Sequence, residues 1–116
     1  MTRHSDAVRL QHMVDHAREA LSMVRGRSRS DLDDNRMLEL ALVRLVEIVG
    51  EAAARVSEST RRTYTSVPWP EIVGMRNRVV HGYDTVDLDV LWDTITVDLP
   101  ALIVGLESQG GQLAEV

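Results

Sequence analysis

Apolar residues recur at helical spacing along almost the whole chain. The first stripe combines Leu10, Met13, Val14, Ala17, Leu21 and Val24. Residues three and four positions apart lie on the same side of a helix, so this stripe predicts a first helix. Ser5 is its expected N-cap and Gly26 its expected stop.

A second helix is predicted over about residues 31–57. Its main stripe is formed by Leu38, Ala41, Leu42, Leu45, Ile48, Val49, Ala52 and Val56. Leu40 and Val43 lie on the opposite side. A helix that is apolar on two faces needs two partners. The second partner is either another part of the same chain or a second subunit, and the pattern leaves both open.

A short third helix follows, with Pro70 suited to its first turn and Gly82 suited to its end. The breaks between helices are short, and there is no linker or internal repeat. The chain is therefore expected to be one all-α domain over residues 1–116, an up-and-down bundle of four to five helices.

The last helix is predicted to begin after Asp87, its expected N-cap. Its apolar stripe is Leu88, Leu91, Trp92, Ile95, Leu99, Leu102, Ile103 and Leu106. Pro100 lies inside this helix and is expected to bend it, because the carbonyl of Thr96 loses its amide donor. Residues 107–116 are expected to form a frayed tail.

Composition narrows the classes of function. The 116 residues include no Cys, which excludes disulfides and thiolate zinc sites, and the net charge of -5 disfavours indiscriminate binding to nucleic acid. No run approaches the roughly 20 apolar residues of a membrane helix, and the charged N-terminus is unlike a signal peptide. We expect a cytoplasmic protein without membrane contact. At this length an extra subunit helps to bury apolar surface, which favours a dimer.

Two histidines offer the spacing of a metal site. His12 and His16 are one helical turn apart, as zinc ligands often are. The apolar stripe of the first helix points away from them, so both rings are expected to face water, and no third ligand is evident. A solvated helix face is therefore the favoured interpretation, and no metal or cofactor is expected.

Charged clusters elsewhere favour surface roles. Arg44, Glu47, Glu51 and Arg55 share one helix face and are typical of ion pairs within a helix. The basic stretches at residues 25–29 and 61–62 are typical of exposed loops, with RNA contact as the alternative. They bear on function only if the fold brings them near Arg76.

The stretch RNRVVHGY, residues 76–83, carries candidate chemistry. If the third helix runs to residue 81, Asn77 and His81 share a face, and Arg76 meets His81 only near the helix end. An Arg can hold a phosphate by two hydrogen bonds, and an imidazole can move a proton near neutral pH. With the ribose 2′-hydroxyl as internal nucleophile, these groups suit RNA cleavage without a metal.

The alternative for these residues is structural. Arg76 would then form a surface ion pair and His81 would cap a helix. Gly82 permits a left-handed turn that can bring Tyr83 back towards them. The alternative for Tyr83 is a ring packed beneath the last helix.

The segment VPWPEIVGMRNRVVHGYDTVDLDVLWDTITVDLPAL, with DNRMLELALVRLVEIVGEAAARV upstream, resembles the HepT-like branch of the HEPN superfamily over about residues 33–103. The signature of that family is an Arg, four residues, a His, one residue and a Tyr. Arg76, His81 and Tyr83 match it, and Asn77 fills the polar position after the Arg.

The resemblance implies an all-α homodimer whose two motifs face a shared cleft. It implies a metal-independent endoribonuclease that is the toxin of a toxin–antitoxin pair. Arg76 would hold the scissile phosphate, His81 would transfer protons, and Asn77 would orient the substrate or His81. Arg78, in the same basic stretch, is a candidate RNA contact.

The resemblance also implies a partner. A minimal nucleotidyltransferase antitoxin would silence the toxin by transferring AMP to Tyr83. Two other functions stay open: a non-catalytic helical protein that only docks the nucleotidyltransferase, and a plain RNA-binding dimer.

Overall fold

Three long helical rods carry the fold in the computed structural model, which describes residues 5–108. The first two are α1, Asp6–Val24, and α2, Arg36–Ala54. The third is continuous along the chain and consists of α6, Leu88–Asp93, a π-helical segment, Thr94–Asp98, and α7, Leu99–Glu107. The expected all-α class is confirmed.

Shorter elements connect the rods. A 3₁₀ turn, Arg29–Leu32, precedes α2, and α3, Glu58–Thr63, follows it. The helices α4, Trp69–Val73, and α5, Met75–Val79, then pack against α2. A small antiparallel hairpin separates α5 from α6.

Helix α1 has the predicted ends. The Ser5 hydroxyl accepts a hydrogen bond from the Val8 amide at 3.2 Å, which makes it the N-cap. Gly26 follows the helix with a φ of +76°, a conformation that favours glycine. The apolar side of α1 packs on α2 and α7.

Helix α2 is shorter than the predicted 31–57. The Asn35 side chain accepts from the Leu38 amide at 3.0 Å and starts the helix there, while Ser57 caps α3. Both are side chains that compete with helix continuation by bonding nearby amides. Leu40 is 51% exposed, as a second apolar face requires, but Val43 is half-buried and packs against the core.

The predicted third helix from Pro70 to Gly82 is wrong in its extent. It is divided at Gly74 into α4 and α5, and α5 ends at Val79. The next residues form two short strands, β1, Val80–His81, and β2, Thr85–Val86. The strands are antiparallel, with Val80 opposite Val86 and His81 opposite Thr85. Since β-branched residues favour extended backbone, these residues form strands and do not continue the helix.

The last rod begins as predicted. The Asp87 side chain accepts from the Val90 amide at 3.1 Å. Pro100 lies in the first turn of α7, directly after the π-helical segment. Wider turns of this kind re-form the hydrogen bonds of a helix that a proline interrupts. The irregularity expected at Pro100 is therefore a π-helical turn that lies one turn earlier, around Thr96.

The core lies where the three rods meet α4 and α5. Its large, fully buried side chains include Met13, Leu42, Val46, Ile72, Met75, Leu91, Ile95, Leu99, Leu102 and Leu106. Within residues 5–108 no helix is long and apolar enough to cross a membrane. Most of the expected frayed tail, residues 109–116, lies outside the described residues.

Candidate functional site

An open groove of about 310 Å³ lies between α2 and the α4–α5 pair. Its lining residues are Glu47, Gly50, Glu51, Ala54, Val73, Arg76 and Asn77. The two walls meet at Gly50, where a Cβ would be in van der Waals contact with the Ile72 carbonyl oxygen at 3.4 Å. The groove thus places two residues of the sequence motif, Arg76 and Asn77, against α2.

Arg76 is held loosely in this groove. Its Nε lies 3.9 Å from Glu47 Oε2, and the other oxygen of Glu47 accepts from Arg44 at 2.6 Å. The Arg76 side chain is 42% exposed. No closer partner of its guanidinium exists within residues 5–108, so its planar fork is open to an anion from solvent.

His81 lies outside the helix, on strand β1. Its Nε2 is 4.0 Å from Asp87 Oδ2, and its side chain is 59% exposed. The other carboxylate oxygen of Asp87 caps α6. Asp87 therefore faces the imidazole from a fixed position at the start of a helix, at the distance of a loose ion pair and not of a hydrogen bond.

Tyr83 projects from the hairpin turn. Gly82, with a φ of +74°, and Asp84 flank it between the two strands. Its side chain is 94% exposed. The alternative in which the ring packs beneath the last helix is wrong, and the hydroxyl is open to solvent.

The structure separates the motif into two pairs. Arg76 and Asn77 line the groove, while His81 and Tyr83 lie on the hairpin and contribute nothing to the groove lining. The prediction that Asn77 and His81 share a helix face is wrong, because α5 ends at Val79.

Arg78 is tied to its own surroundings. Its guanidinium donates to the Glu71 carbonyl oxygen at 3.0 Å. Burial raises the pKa of the Asp98 carboxyl, and the positive charge of Arg78 acts against that shift. Arg78 is thus bonded to α4, and its role as an RNA contact stays a prediction.

The basic stretches do not line the groove. Arg29 pairs with Asp89 at 2.6 Å and with Asp33 at 2.9 Å. Arg61 lies over the Trp69 ring, 5.5 Å from its centroid, and donates to the Ala53 carbonyl oxygen. Both arginines therefore have structural contacts.

The two histidines of α1 interact with each other. Their ring centroids are 5.9 Å apart, and His16 Nδ1 lies 2.7 Å from the His12 carbonyl oxygen. Both residues are half-buried, so the expectation that the rings face water holds only in part. Across residues 5–108 no group of three or more possible ligands could hold a metal ion.

Sequence reasoning missed two acidic neighbours of the motif. The sequence predicts ion pairs along the face that Glu47 shares with Arg44, Glu51 and Arg55, and of these the Arg44–Glu47 pair is found, while Glu51 and Arg55 do not pair within residues 5–108. It predicts Asp87 only as a helix cap, which is confirmed. Their contacts with Arg76 and His81 depend on how distant segments pack. Only the position of Asp87, shortly after the motif, could have indicated its second role.

Comparison with known proteins identifies the family. The family described as "Ribonuclease HepT-like" matches residues 13–108. The chain belongs to this family. It is 34% identical over 93 residues to "Putative RNase TTE0752" of Caldanaerobacter subterraneus subsp. tengcongensis, which covers 80% of this chain and 83% of that protein.

Two further relatives are archaeal. "Putative RNase MJ1380" of Methanocaldococcus jannaschii is 29% identical over 80% of this chain and 85% of its own length. "Probable ribonuclease HepT" of Thermococcus cleftensis is 38% identical over 55% of this chain and 58% of its own length. No solved structure matches the chain significantly.

Proposed function

We propose that this member of the HepT-like family is a metal-independent endoribonuclease, the toxin of a toxin–antitoxin pair, acting on cytoplasmic RNA. The observation that carries the proposal is the open groove in which Arg76 presents an exposed guanidinium beside Asn77. Relatives with the names "Putative RNase" and "Probable ribonuclease HepT" support the same activity.

The proposed reaction needs only side chains and the RNA itself. His81 takes the proton of the ribose 2′-hydroxyl, whose oxygen attacks the adjacent phosphorus. The bond to the 5′-oxygen breaks, and a second imidazole, from the other subunit of a dimer, supplies the proton to that oxygen. Arg76 stabilises the charge that develops on the phosphate. The products are a 2′,3′-cyclic phosphate and a 5′-hydroxyl end.

A dimer would bring the separated pairs together. Met37 and Leu40 are 82% and 51% exposed, and they share the outer face of α2 with Arg44 and Glu47 of the groove region. A second protomer packed on this face would lie beside the groove. Its His81 could then approach Arg76 of the first protomer.

Cleavage is tested with the purified chain and single-stranded RNA in EDTA. Wild type is expected to leave cyclic phosphate ends, and His81→Ala to abolish cleavage. Arg76→Ala should reduce the rate by about 10²–10³-fold, the typical effect of losing one charge-stabilising donor. Arg62→Ala, which removes an arginine paired with Glu58 on α3, is the control. Equal cleavage by wild type and His81→Ala would mean that a contaminant or another site cuts the RNA.

Tyr83 is the proposed point of control. Its oxygen would attack the α-phosphorus of ATP on a minimal nucleotidyltransferase, pyrophosphate would leave, and AMP would stay attached to the ring. The 94% exposure of the side chain supports access by such a partner. The added negative charge would oppose RNA binding beside Arg76.

Modification is tested by co-expression with a minimal nucleotidyltransferase and mass measurement of the intact chain and its peptides. AMP-sized additions should map to Tyr83 and disappear in Tyr83→Phe. Full inhibition of an unmodified chain would instead indicate inhibition by docking alone.

A non-catalytic partner of a nucleotidyltransferase is the second candidate. The observation that favours it is that His81 and Tyr83 are absent from the groove lining. A purified dimer that binds the nucleotidyltransferase but leaves RNA intact would establish it.

A further inference from the structure

The groove contains a carboxylate that the proposed cleavage does not use. Glu51 on α2 and Asn77 on α5 both line it, and both are exposed. Neither side chain forms a hydrogen bond or an ion pair within residues 5–108. Glu47, in contrast, is shared between Arg44 and Arg76. Glu51 and Asn77 are therefore free to contact a ligand from opposite walls.

Charge determines which part of an RNA can lie beside Glu51. A phosphate next to this carboxylate would meet like charge, whereas the fork of Arg76 attracts it. The remainder of the groove must then receive a neutral part of the nucleotide. Its volume of about 310 Å³ accommodates one such unit, and Ala54 and Val73 offer apolar surface to the face of a base.

The side chains of Glu51 and Asn77 can distinguish the four bases by their hydrogen-bonding groups. A carboxylate accepts two parallel N–H bonds, and only guanine presents two adjacent donors, N1–H and N2–H, on its Watson–Crick edge. Adenine and cytosine place an acceptor nitrogen beside their single amino group, and uracil flanks its N–H with two carbonyls. The Asn77 amide can in addition donate to guanine O6.

We propose that the groove is a guanine-binding subsite in which Glu51 is the specificity-determining residue and Asn77 assists. The inference deepens the proposed ribonuclease function and rests on it for its biological meaning. Cleavage would occur next to guanine, with Arg76 holding the phosphate attached to the bound nucleoside.

Binding of free nucleotides tests the subsite without cleavage. The full chain is titrated with the 5′-monophosphates of guanosine, adenosine, cytidine and uridine. The guanosine nucleotide should bind at least about fivefold more tightly than the others, the lower end of what one bidentate base contact contributes. Glu51→Gln should abolish this preference, because an amide accepts only through its oxygen. Glu58→Gln, the same change on α3 outside the groove, should keep it.

Cleavage mapping on RNA of mixed sequence provides the second measurement. Wild type and Glu58→Gln should cut next to guanine, and Glu51→Gln should cut more slowly and without that enrichment. Cleavage without base preference, together with equal nucleotide affinities, would overturn the subsite and leave the ribonuclease intact. Selective nucleotide binding without any cleavage would overturn the ribonuclease and keep the subsite.

A protein contact is the remaining outcome. If Glu51→Gln leaves nucleotide preference unchanged but weakens binding of a co-expressed nucleotidyltransferase, the carboxylate recognises a basic protein surface. That result also overturns the subsite.

Discussion

Asp87 forms two contacts, and one substitution can remove the charge from one of them while it keeps the other. One carboxylate oxygen caps α6, and the other lies 4.0 Å from His81 Nε2. Exposed ion pairs contribute only about 0.2–1 kcal/mol. Because 1.36 kcal/mol corresponds to a tenfold change in rate, this pair can alter catalysis by no more than about fivefold. Asp87 is thus expected to be a positioning residue for His81.

The substitution Asp87→Asn should keep α6 intact, since Asn caps a helix as well as Asp does. The expected free energy of unfolding changes by less than about 0.5 kcal/mol, whereas kcat falls by up to about fivefold with KM unchanged. Asp93→Asn, an exposed carboxylate at the end of α6, is the control of equal charge. Urea unfolding and RNA cleavage measure both effects. A loss of a hundredfold or more would show that Asp87 acts directly on the substrate.

Contacts within one helix could be predicted from the sequence, whereas contacts between helices could not. The Arg44–Glu47 pair follows from helical spacing alone and was predicted. The contact between Glu47 and Arg76 requires α5 to dock on α2, which no local pattern encodes. The sequence therefore supplies the candidate motif residues, whose roles stay predictions, but it does not supply their acidic neighbours.

Two glycines allow a matched test at the level of elements. Gly26 after α1 and Gly82 in the hairpin turn have φ values of +76° and +74°, and a Cβ would meet no atom within 4 Å at either position. The effect of an added methyl group is thus backbone strain alone. The left-handed conformation costs a non-glycine residue about 1–2 kcal/mol.

We expect Gly26→Ala and Gly82→Ala to lower the free energy of unfolding by similar amounts, about 1 kcal/mol each. Only Gly82→Ala should also impair RNA cleavage and AMP transfer, because the turn sets the positions of His81 and Tyr83. Denaturant unfolding and both activity assays are compared. Equal loss of activity in both variants would assign the effect to stability alone.

Contacts between α1 and α3 should make the stability of the fold sensitive to acid. Hydrogen bonds from the Ser57 and Thr60 hydroxyls, at 2.5 and 2.7 Å, hold the pKa of Asp6 below its ordinary value. A carboxyl with a lowered folded pKa stabilises the fold above its unfolded pKa of about 3.9. The contribution disappears as the pH falls from there through the folded value.

Asp6→Asn should therefore be less stable than wild type near neutral pH, and the difference should shrink below about pH 4. Urea unfolding of both proteins between pH 7 and pH 3 measures it. Asp15→Asn, an exposed carboxylate on α1, is the control. A difference that is constant with pH would mean that the Asp6 carboxyl has no lowered pKa.

Helix starts were easier to predict than helix breaks. Ser5 and Asp87 precede apolar stripes and cap the helices as expected. The start of α2 after Asn35 and the strands after Val79 were missed, because apolar spacing alone does not place either boundary. These boundaries are set by the pairing of β1 with β2 and by the cap at Asn35. The periodicity of apolar residues predicts neither of them.

At the scale of the whole molecule, residues 5–108 expose large apolar side chains on two of the rods, in addition to Tyr83 in the hairpin turn. Met37 and Leu40 lie on α2, and Val97 and Val104 lie on the last rod. A protein of this size buries a limited fraction of its apolar surface, so association through one of these faces would add stability. Only the α2 face adjoins the groove, which makes it the expected dimer contact.

The substitution Leu40→Glu should convert the dimer into a monomer, because it places a charge in the centre of the proposed contact. Val104→Glu, on a residue that is 67% exposed on α7, should leave the dimer intact. Sedimentation at micromolar concentration distinguishes the two states. Leu40→Glu should also lose RNA cleavage while keeping its helical content, since each site needs groups from both subunits. A monomeric wild type, or a dimer disrupted by Val104→Glu and unaffected by Leu40→Glu, would contradict the shared site.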